Sequence, residues 1–340
     1  MLVLVTGGGG FLGQYIVEQL LARGDRVRSL ARGHYPALAS LGVECVRADL
    51  RDAAAVRQAC AGVDVVFHTA AVAGIWGPWQ DYFDVNVLGT RHVLEGCRQH
   101  GVPRLVLSSS PSVTFDGHPQ EGVDERAPYP ARWLCHYQHT KALAEQAVLE
   151  ANGSDLATCA LRPHLVWGPR DPHLTPRLIA RAVAGQLRRV GDGTNLIDMV
   201  YVENAATAHL QAADALAGNS RVGGRAYFIS QGEPVNCWQW IDQILALAGV
   251  GPVRRHVSLA AARRVGAVLE TVHRVLGIQR EPRMTRFLAA QLGTSHYFDI
   301  TAARRDFGYC PQVSTAEGMR RLGATLGKEV APGRPRTANS

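Results

Sequence analysis

The chain opens on a wholly apolar run, Leu2-Val3-Leu4-Val5, that leads directly into T-G-G-G-G-F-L-G at Thr6 to Gly13. A short run without polar interruption is the pattern of a strand buried on both faces, and Phe11 to Arg23 shows helical periodicity that stops at Gly24. The glycines therefore fall on a strand-to-helix turn. In such a turn Gly7 permits the tight reversal, Gly10 lets the backbone approach a pyrophosphate, and Gly13 lets the helix pack close to the strand. Phe11 and Leu12 begin the helix, whose free N–H groups face the phosphates. Few other combinations constrain a fold so strongly, and the expected ligand is a dinucleotide.

Strand and helix patterns then alternate. Arg26 to Ala31 reads as a second strand, and Glu44 to Arg47 as a third that leads to Asp49-Leu50. Val63 to His68 is a fourth, followed by Thr69-Ala70-Ala71, and Arg104 to Leu107 a fifth that runs into Ser108-Ser109-Ser110. This order predicts right-handed crossovers and an α/β fold, a doubly wound parallel sheet of the Rossmann type with helices on both faces. Ligands gather at the carboxyl ends of such strands, where Ser110 and the glycine turn fall.

Downstream, Tyr137 and Lys141 stand as Y-Q-H-T-K in a helical stretch. Positions i and i+4 project from one face, so phenol and ammonium come within reach of each other. A lysine cation favours the phenolate, which predicts a lowered Tyr137 pKa and a general acid/base near neutral pH.

With these motifs come H-T-A-A at His68 to Ala71, N-V-L-G-T at Asn86 to Thr90, L-R-P with V-W-G-P between Leu161 and Pro169, and D-M-V-Y-V-E-N at Asp198 to Asn204. In this order they resemble an extended short-chain dehydrogenase/reductase over roughly residues 1 to 325. Within it, A-R-G-H-Y-P at Ala31 to Pro36, S-P-S-V-T at Ser110 to Thr114 and the C-terminal T-R-F-L-A-A-Q-L and R-R-D-F-G-Y-C-P-Q-V are similar to the 3β-hydroxysteroid and 4-carboxysterol dehydrogenase branch. The resemblance implies that Ser110 hydrogen-bonds the substrate oxygen, that Tyr137 transfers the proton, and that Lys141 holds the nicotinamide ribose. Asp49 and Leu50 would border the adenine, with Ala70 and Ala71 also on the cofactor.

It implies interleaved domains as well, with Ala157 to Leu161 the sixth strand and Arg225 to Ile229 the last. Residues 1–165 and 197–229 would form the dinucleotide-binding domain and 166–196 with 230–328 a smaller substrate lobe. Residues 329–340, rich in Pro, Gly, Arg and Ser, read as a flexible tail. A homodimer is the family expectation.

The implied reaction is hydride transfer between a nicotinamide and the 3-oxo or 3-hydroxy group of a hydrophobic β-keto or β-hydroxy acid. A 2-alkyl-3-oxo acid and a 4-carboxy-3-oxo sterol share that core. Nucleotide-sugar epimerases and dehydratases share the cofactor motifs. A non-catalytic dinucleotide sensor is a third class, against which the intact Ser110, Tyr137 and Lys141 argue, since a sensor needs no proton donor. NAD-preferring sites place an acidic side chain after the second strand, whereas S-L-A-R-G-H offers Arg32 for a 2′-phosphate. NADP(H) is therefore expected over NAD(H).

Other residues leave two readings open. Trp76 and Trp79 either wall a pocket or pack the lobes together, and His136, His164 and Arg170 either pair a substrate carboxylate or serve as structural hydrogen-bonders. Thirteen histidines and seven cysteines show neither H-E-x-x-H nor C-x-x-C spacing, so metal binding is not expected and reduced thiols are. A strand starting at residue 2 leaves no room for a signal, and no apolar stretch approaches the roughly 18 residues of a spanning helix, so a cytoplasmic location is expected. Between Gly251 and Arg286, eight arginines face only Glu270 and Glu281 in a chain of net charge +7. That stretch is either a solvated face or a contact for anionic lipid, a partner protein or an acidic substrate; no nucleic-acid motif accompanies it.

Overall fold

The structure, a computed structural model, describes residues 1–218 and 221–330. Seven strands form its central sheet: β1 (Leu2–Thr6), β2 (Arg26–Ala31), β3 (Glu44–Arg47), β4 (Val65–His68), β5 (Arg104–Ser108), β6 (Ala157–Pro163) and β7 (Arg225–Ile229). All neighbours pair in parallel, in the order β7-β6-β5-β4-β1-β2-β3. The order reverses beside β1, which pairs β2 on one side and β4 on the other. A ligand crevice opens at such a switch point. Thr6 lies level with Leu30 and with His68, so the carboxyl ends of three strands meet there.

Alternation along each strand divides the core between two faces. Val3, Val5 and Val106 turn toward helices α1 (Phe11–Ala22) and α4 (Val202–Leu216), whose alanine-rich surface (Ala205, Ala208, Ala212) allows close approach. Leu4, Leu105 and Leu107 turn the other way, toward α2 (Gly89–His100) and α3 (His136–Glu150). A further core gathers Trp167, Ile197, Tyr201, Trp238, Ile241 and Leu245. A four-stranded sheet carries part of it, ordered Val235–Asn236, Leu196–Ile197, His296–Phe298, Gln120–Val123. Residues 197–201 and 120–123, on the cofactor side of the expected boundary, thus contribute to this second core and its sheet.

Some expected ends move. β4 begins at Val65 because the Val63 N–H closes a turn on Cys60 O (3.3 Å), and β6 continues two residues to Pro163. The expected tail is shortened: the helix Thr315–Val330 takes in residues 329 and 330, and 331–340 lie outside the described residues. The arginine-rich stretch contains α5 (Leu259–Val275), and α6 (Arg286–Gly293) packs against it.

Candidate active site

The turn after β1 is built to the tolerance of a missing methyl group. Gly7 adopts φ +72°, its N–H donates to Leu30 O (2.8 Å), and its carbonyl accepts from Gly10 N (2.8 Å). A Cβ on Gly13 would lie 2.1 Å from that carbonyl, so only glycine lets α1 sit this close. Gly9 is equally constrained, because the Tyr35 ring passes where its Cβ would be. Beside the turn is a cavity of about 350 Å³ lined by Gly7, Gly10, Phe11, Leu12, Gly13, Arg32, Asp49, Leu50, Ala70 and Ala71. These are ten of the twelve expected cofactor positions; the other two, Tyr137 and Lys141, lie beyond it. Hydrogen bonds from the Arg51 guanidinium hold the Asp49 carboxyl below its usual range, against the opposing effect of burial. A glycine cradle of this depth, with a helix N-terminus at its edge and an arginine at its far rim, fits a dinucleotide.

From this cavity the segment after β4 runs as one continuous wall. Thr69 to Val72 line the dinucleotide cavity, Ala73 to Ile75 a second of about 230 Å³, and Ile75 to Pro78 an outer one of about 310 Å³. Asn86 fixes the wall at its middle: its amide accepts from Val72 N (2.8 Å) and donates to Val72 O (3.2 Å) and to Thr140 Oγ1 on α3 (3.1 Å). Asn86 lies in a π-helical turn, Phe83–Leu88, the kind of local irregularity that often marks a functional site.

Ser110 and Tyr137 both line the middle cavity, where the Ser110 side chain favours the phenolate of Tyr137. Gln138 sets their spacing. Its Oε1 accepts from Leu134 N (3.0 Å) and Cys135 N (3.2 Å) at the start of α3, and its Nε2 donates to Ser112 O and Phe115 O, each 2.9 Å away. The turn bearing Ser110 is thereby tied to the helix bearing Tyr137. Lys141, one turn further and buried, donates from Nζ to Ser108 O (2.6 Å). Burial lowers its pKa to about 8, with Glu145 pulling the other way. Glu145 is itself fixed by Arg162 on β6, through Nε to Oε2 (3.0 Å) and Nη2 to Oε1 (2.6 Å), and by the Tyr129 hydroxyl (2.7 Å).

The rest of the middle cavity is mostly apolar, with Phe115, Leu165, Phe287 and Phe298 in its wall, and has a polar end at Gln120, His164, Gln291 and His296. His164 Nδ1 is 2.5 Å from Asp198 Oδ1, and the second Asp198 oxygen accepts from Phe298 N (2.9 Å). His296 lies against His164 at 4.9 Å between centroids; burial, with the neighbouring His164, lowers its pKa to about 3 and keeps it neutral.

The model of the 3-beta hydroxysteroid dehydrogenase/isomerase family matches residues 4–259 of this chain. The chain belongs to that family. Among its relatives is the 2-alkyl-3-oxoalkanoate reductase of Stenotrophomonas maltophilia, 50% identical over 96% of this chain and 99% of the relative. The decarboxylating sterol-4-alpha-carboxylate 3-dehydrogenase of Mus musculus is 36% identical, over 93% and 88%. Of solved structures, the Thermus thermophilus UDP-glucose 4-epimerase complex with NAD is similar in fold, with a TM-score of 0.72 at 27% identity over 97% of this chain and all of the other.

Against this family background two expectations need correction. The Tyr137 pKa is raised, to about 12, because burial outweighs the lowering effect of the Ser110 side chain; the Lys141 ammonium, turned onto Ser108 O, does not reverse this. Arg170 is no candidate for the substrate. It grips Glu18 on α1 through two bonds (2.6 and 2.9 Å), lies 4.0 Å over the Tyr15 ring, and lines none of the three cavities. Trp76 and His136 line the outer cavity rather than the middle one. Trp76 donates to Ile278 O (3.1 Å), which joins this wall to the segment after α5, and His136 Nδ1 lies 3.1 Å from Gly77 O. Trp79 packs on Phe83 and on His136 and His139. Of the substrate candidates, His164 alone stands with Ser110 and Tyr137.

The sequence motifs assign no site role to Tyr35, Asn86, Gln138 or Asp198. Tyr35 and Asn86 had signals, one in the stretch after β2 and the other in N-V-L-G-T. Gln138, inside Y-Q-H-T-K, had none that separates it from a surface glutamine.

Proposed function

We propose that this protein is an NAD(P)-dependent reductase that converts a hydrophobic 2-alkyl-3-oxo acid to its 3-hydroxy acid. The observation that carries the substrate choice is the Stenotrophomonas relative, half identical over nearly the full length of both chains, where the sterol dehydrogenase stands at 36%. The cavity supports it: Ser110 and Tyr137 face a mostly apolar chamber of about 230 Å³, and Ile75 also lines a neighbouring one of about 310 Å³. Residues 166–196 and 230–328 would form the substrate lobe, of which the stretch from Glu270 to Arg286 supplies one side of the outer cavity, facing Ile75–Pro78 and Trp133–His139 on the other.

When bound, the nicotinamide supplies the hydride. The chain's own residues supply the proton and hold the charge. At neutral pH Tyr137, with its raised pKa, carries its proton and can donate it to the alkoxide growing on C3, while Ser110 provides a second hydrogen bond to the same oxygen. Lys141 would hold the ribose, and its bond to Ser108 O ties α3 to β5. Doubly protonated, His164 would donate from Nδ1 to Asp198 and from Nε2 to the substrate carboxylate, which would be costly to bury without a partner.

Purified protein should oxidise NADPH with a long-chain 2-alkyl-3-oxo acid. Turnover confined to a 4-carboxy-3-hydroxysterol would move the assignment to the sterol branch, and turnover of a nucleotide sugar with tightly held NAD would move it out of both. Replacing His164 with Asn should raise KM for the acid by about tenfold while leaving its methyl ester almost unaffected. An equal rise for acid and ester would remove His164 from carboxylate recognition.

The cofactor is expected to be NADPH in preference to NADH. No carboxylate follows β2, Arg32 lines the cavity there, and the one carboxylate among the described residues lining it, Asp49, is already tied to Arg51. Arg32→Ala should bring the two catalytic efficiencies together. Wild-type efficiencies that favour NADH would overturn the preference.

A further inference from the structure

Helix α5 carries an apolar stripe on its outer side. Val265, Val268, Val272 and Val275, with Leu276 at its end, are between 41% and 78% exposed. Their spacing of three and four residues puts them along one line of the helix. The opposite side is fixed by packing, since Ala262, Gly266 and Glu270 are buried and a Cβ on Gly266 would lie 2.6 Å from the Thr285 carbonyl carbon. Five exposed aliphatic side chains in line are unusual on a surface whose other large exposed hydrophobics, Met1, Leu41, Val183 and Leu196, are scattered in sequence.

Charge says what covers the stripe. Arg254, Arg255, Arg264, Arg274, Arg280 and Arg283 are exposed and make no ion pair among the described residues. The two acids of the stretch are neutralised elsewhere: Glu270 binds Arg286, and Glu281 binds Arg177. A folded acidic partner would leave most of six separated cations unmatched, whereas an anionic bilayer matches them at any spacing. No helix among the described residues is long and apolar enough to cross a membrane, so the contact is with a surface. The inner side of the same helix and the turn after it, at His273, Arg274, Gly277 and Ile278, line the outer cavity.

We propose that α5 docks the protein on anionic phospholipid, valines in the acyl boundary and arginines on the headgroups, so that the outer cavity takes its lipophilic substrate from the bilayer. The second half of this rests on the function proposed above; the docking does not. The test is sedimentation of the full chain with vesicles of phosphatidylcholine alone and with vesicles containing phosphatidylglycerol, at low and raised salt, together with its mass by light scattering.

The anionic vesicles should capture the protein at least about tenfold better, and added salt should release it. The double variant V268E/V272E and, separately, R255E/R264E should lose capture while keeping wild-type melting and turnover of a short, water-soluble 3-oxo acid, because none of these four side chains lines a cavity. Indifference of the wild type to anionic vesicles at low salt would overturn the docking. So would a dimer that V268E/V272E converts to monomer without vesicle capture, since the stripe would then be an interface between copies. Reduction of the long-chain acid without vesicle binding leaves the enzymatic reading standing and the docking refuted; capture without such reduction does the opposite.

Discussion

Tyr137→Phe should lower turnover by about 100-fold or more while leaving cofactor affinity and the melting temperature near wild type. The substitution removes one oxygen, which Ser110 influences, from a side chain that lines a cavity. Little packing is lost. Ser110 keeps its bonds to Ser112 N (3.2 Å) and Ser112 Oγ (2.9 Å), so the turn stays in place as a weaker donor to the oxyanion, and residual activity should come from it. Because burial places the phenol near 12, the wild-type rate of reduction should not fall with rising pH through the neutral range on account of Tyr137. Stopped-flow measurement of cofactor oxidation on the long-chain acid checks both points. Most of the activity surviving in Tyr137→Phe would show that another group gives the proton.

What could be read from sequence was the part governed by local rules. The glycine turn, the strand ends and the i, i+4 pair follow from backbone sterics and helical spacing, and the cavity beside the turn is lined by the residues those rules named. Long-range pairings were another matter. Phe287 and Gln291, both within T-R-F-L-A-A-Q-L, and His296 reach the middle cavity through the chain's later crossing, and no local rule says that they point there. Arg170 has the right neighbours in sequence, but its left-handed backbone (φ +67°) accompanies a side chain turned onto Glu18 and Tyr15. The sign of the Tyr137 shift needed burial, which a sequence does not quantify. A phenol and an ammonium one turn apart read as mutual activation until the structure shows the ammonium bound to Ser108 O.

Glu145→Ala should be among the most damaging substitutions away from the cavities, at about 3–5 kcal/mol of unfolding free energy. Glu145 is buried on α3, one turn past Lys141, and its two oxygens accept from Arg162 and from Tyr129. Removing it leaves the Arg162 guanidinium without its counterion in a site that is itself buried, with Phe228 below it at 5.1 Å. One group of that guanidinium, Nη1, has no hydrogen-bond partner even now, so it has little to fall back on. The cost belongs to the broken pair and not to the want of a salt bridge, because two charges removed together leave no charge stranded. The double variant Glu145→Met with Arg162→Met should therefore recover most of the loss. Function should follow a different course. Glu145 raises the Lys141 pKa against burial, so both variants should push that lysine further toward its neutral form. Cofactor binding by the double variant should then weaken at lower pH than in the wild type, even where stability is restored. Urea midpoints of the three proteins, read beside cofactor titrations from pH 6 to 9, separate the two effects. A single variant as stable as wild type would mean that the Arg162 charge finds another partner, and a double variant that binds cofactor like wild type at every pH would detach Glu145 from the lysine.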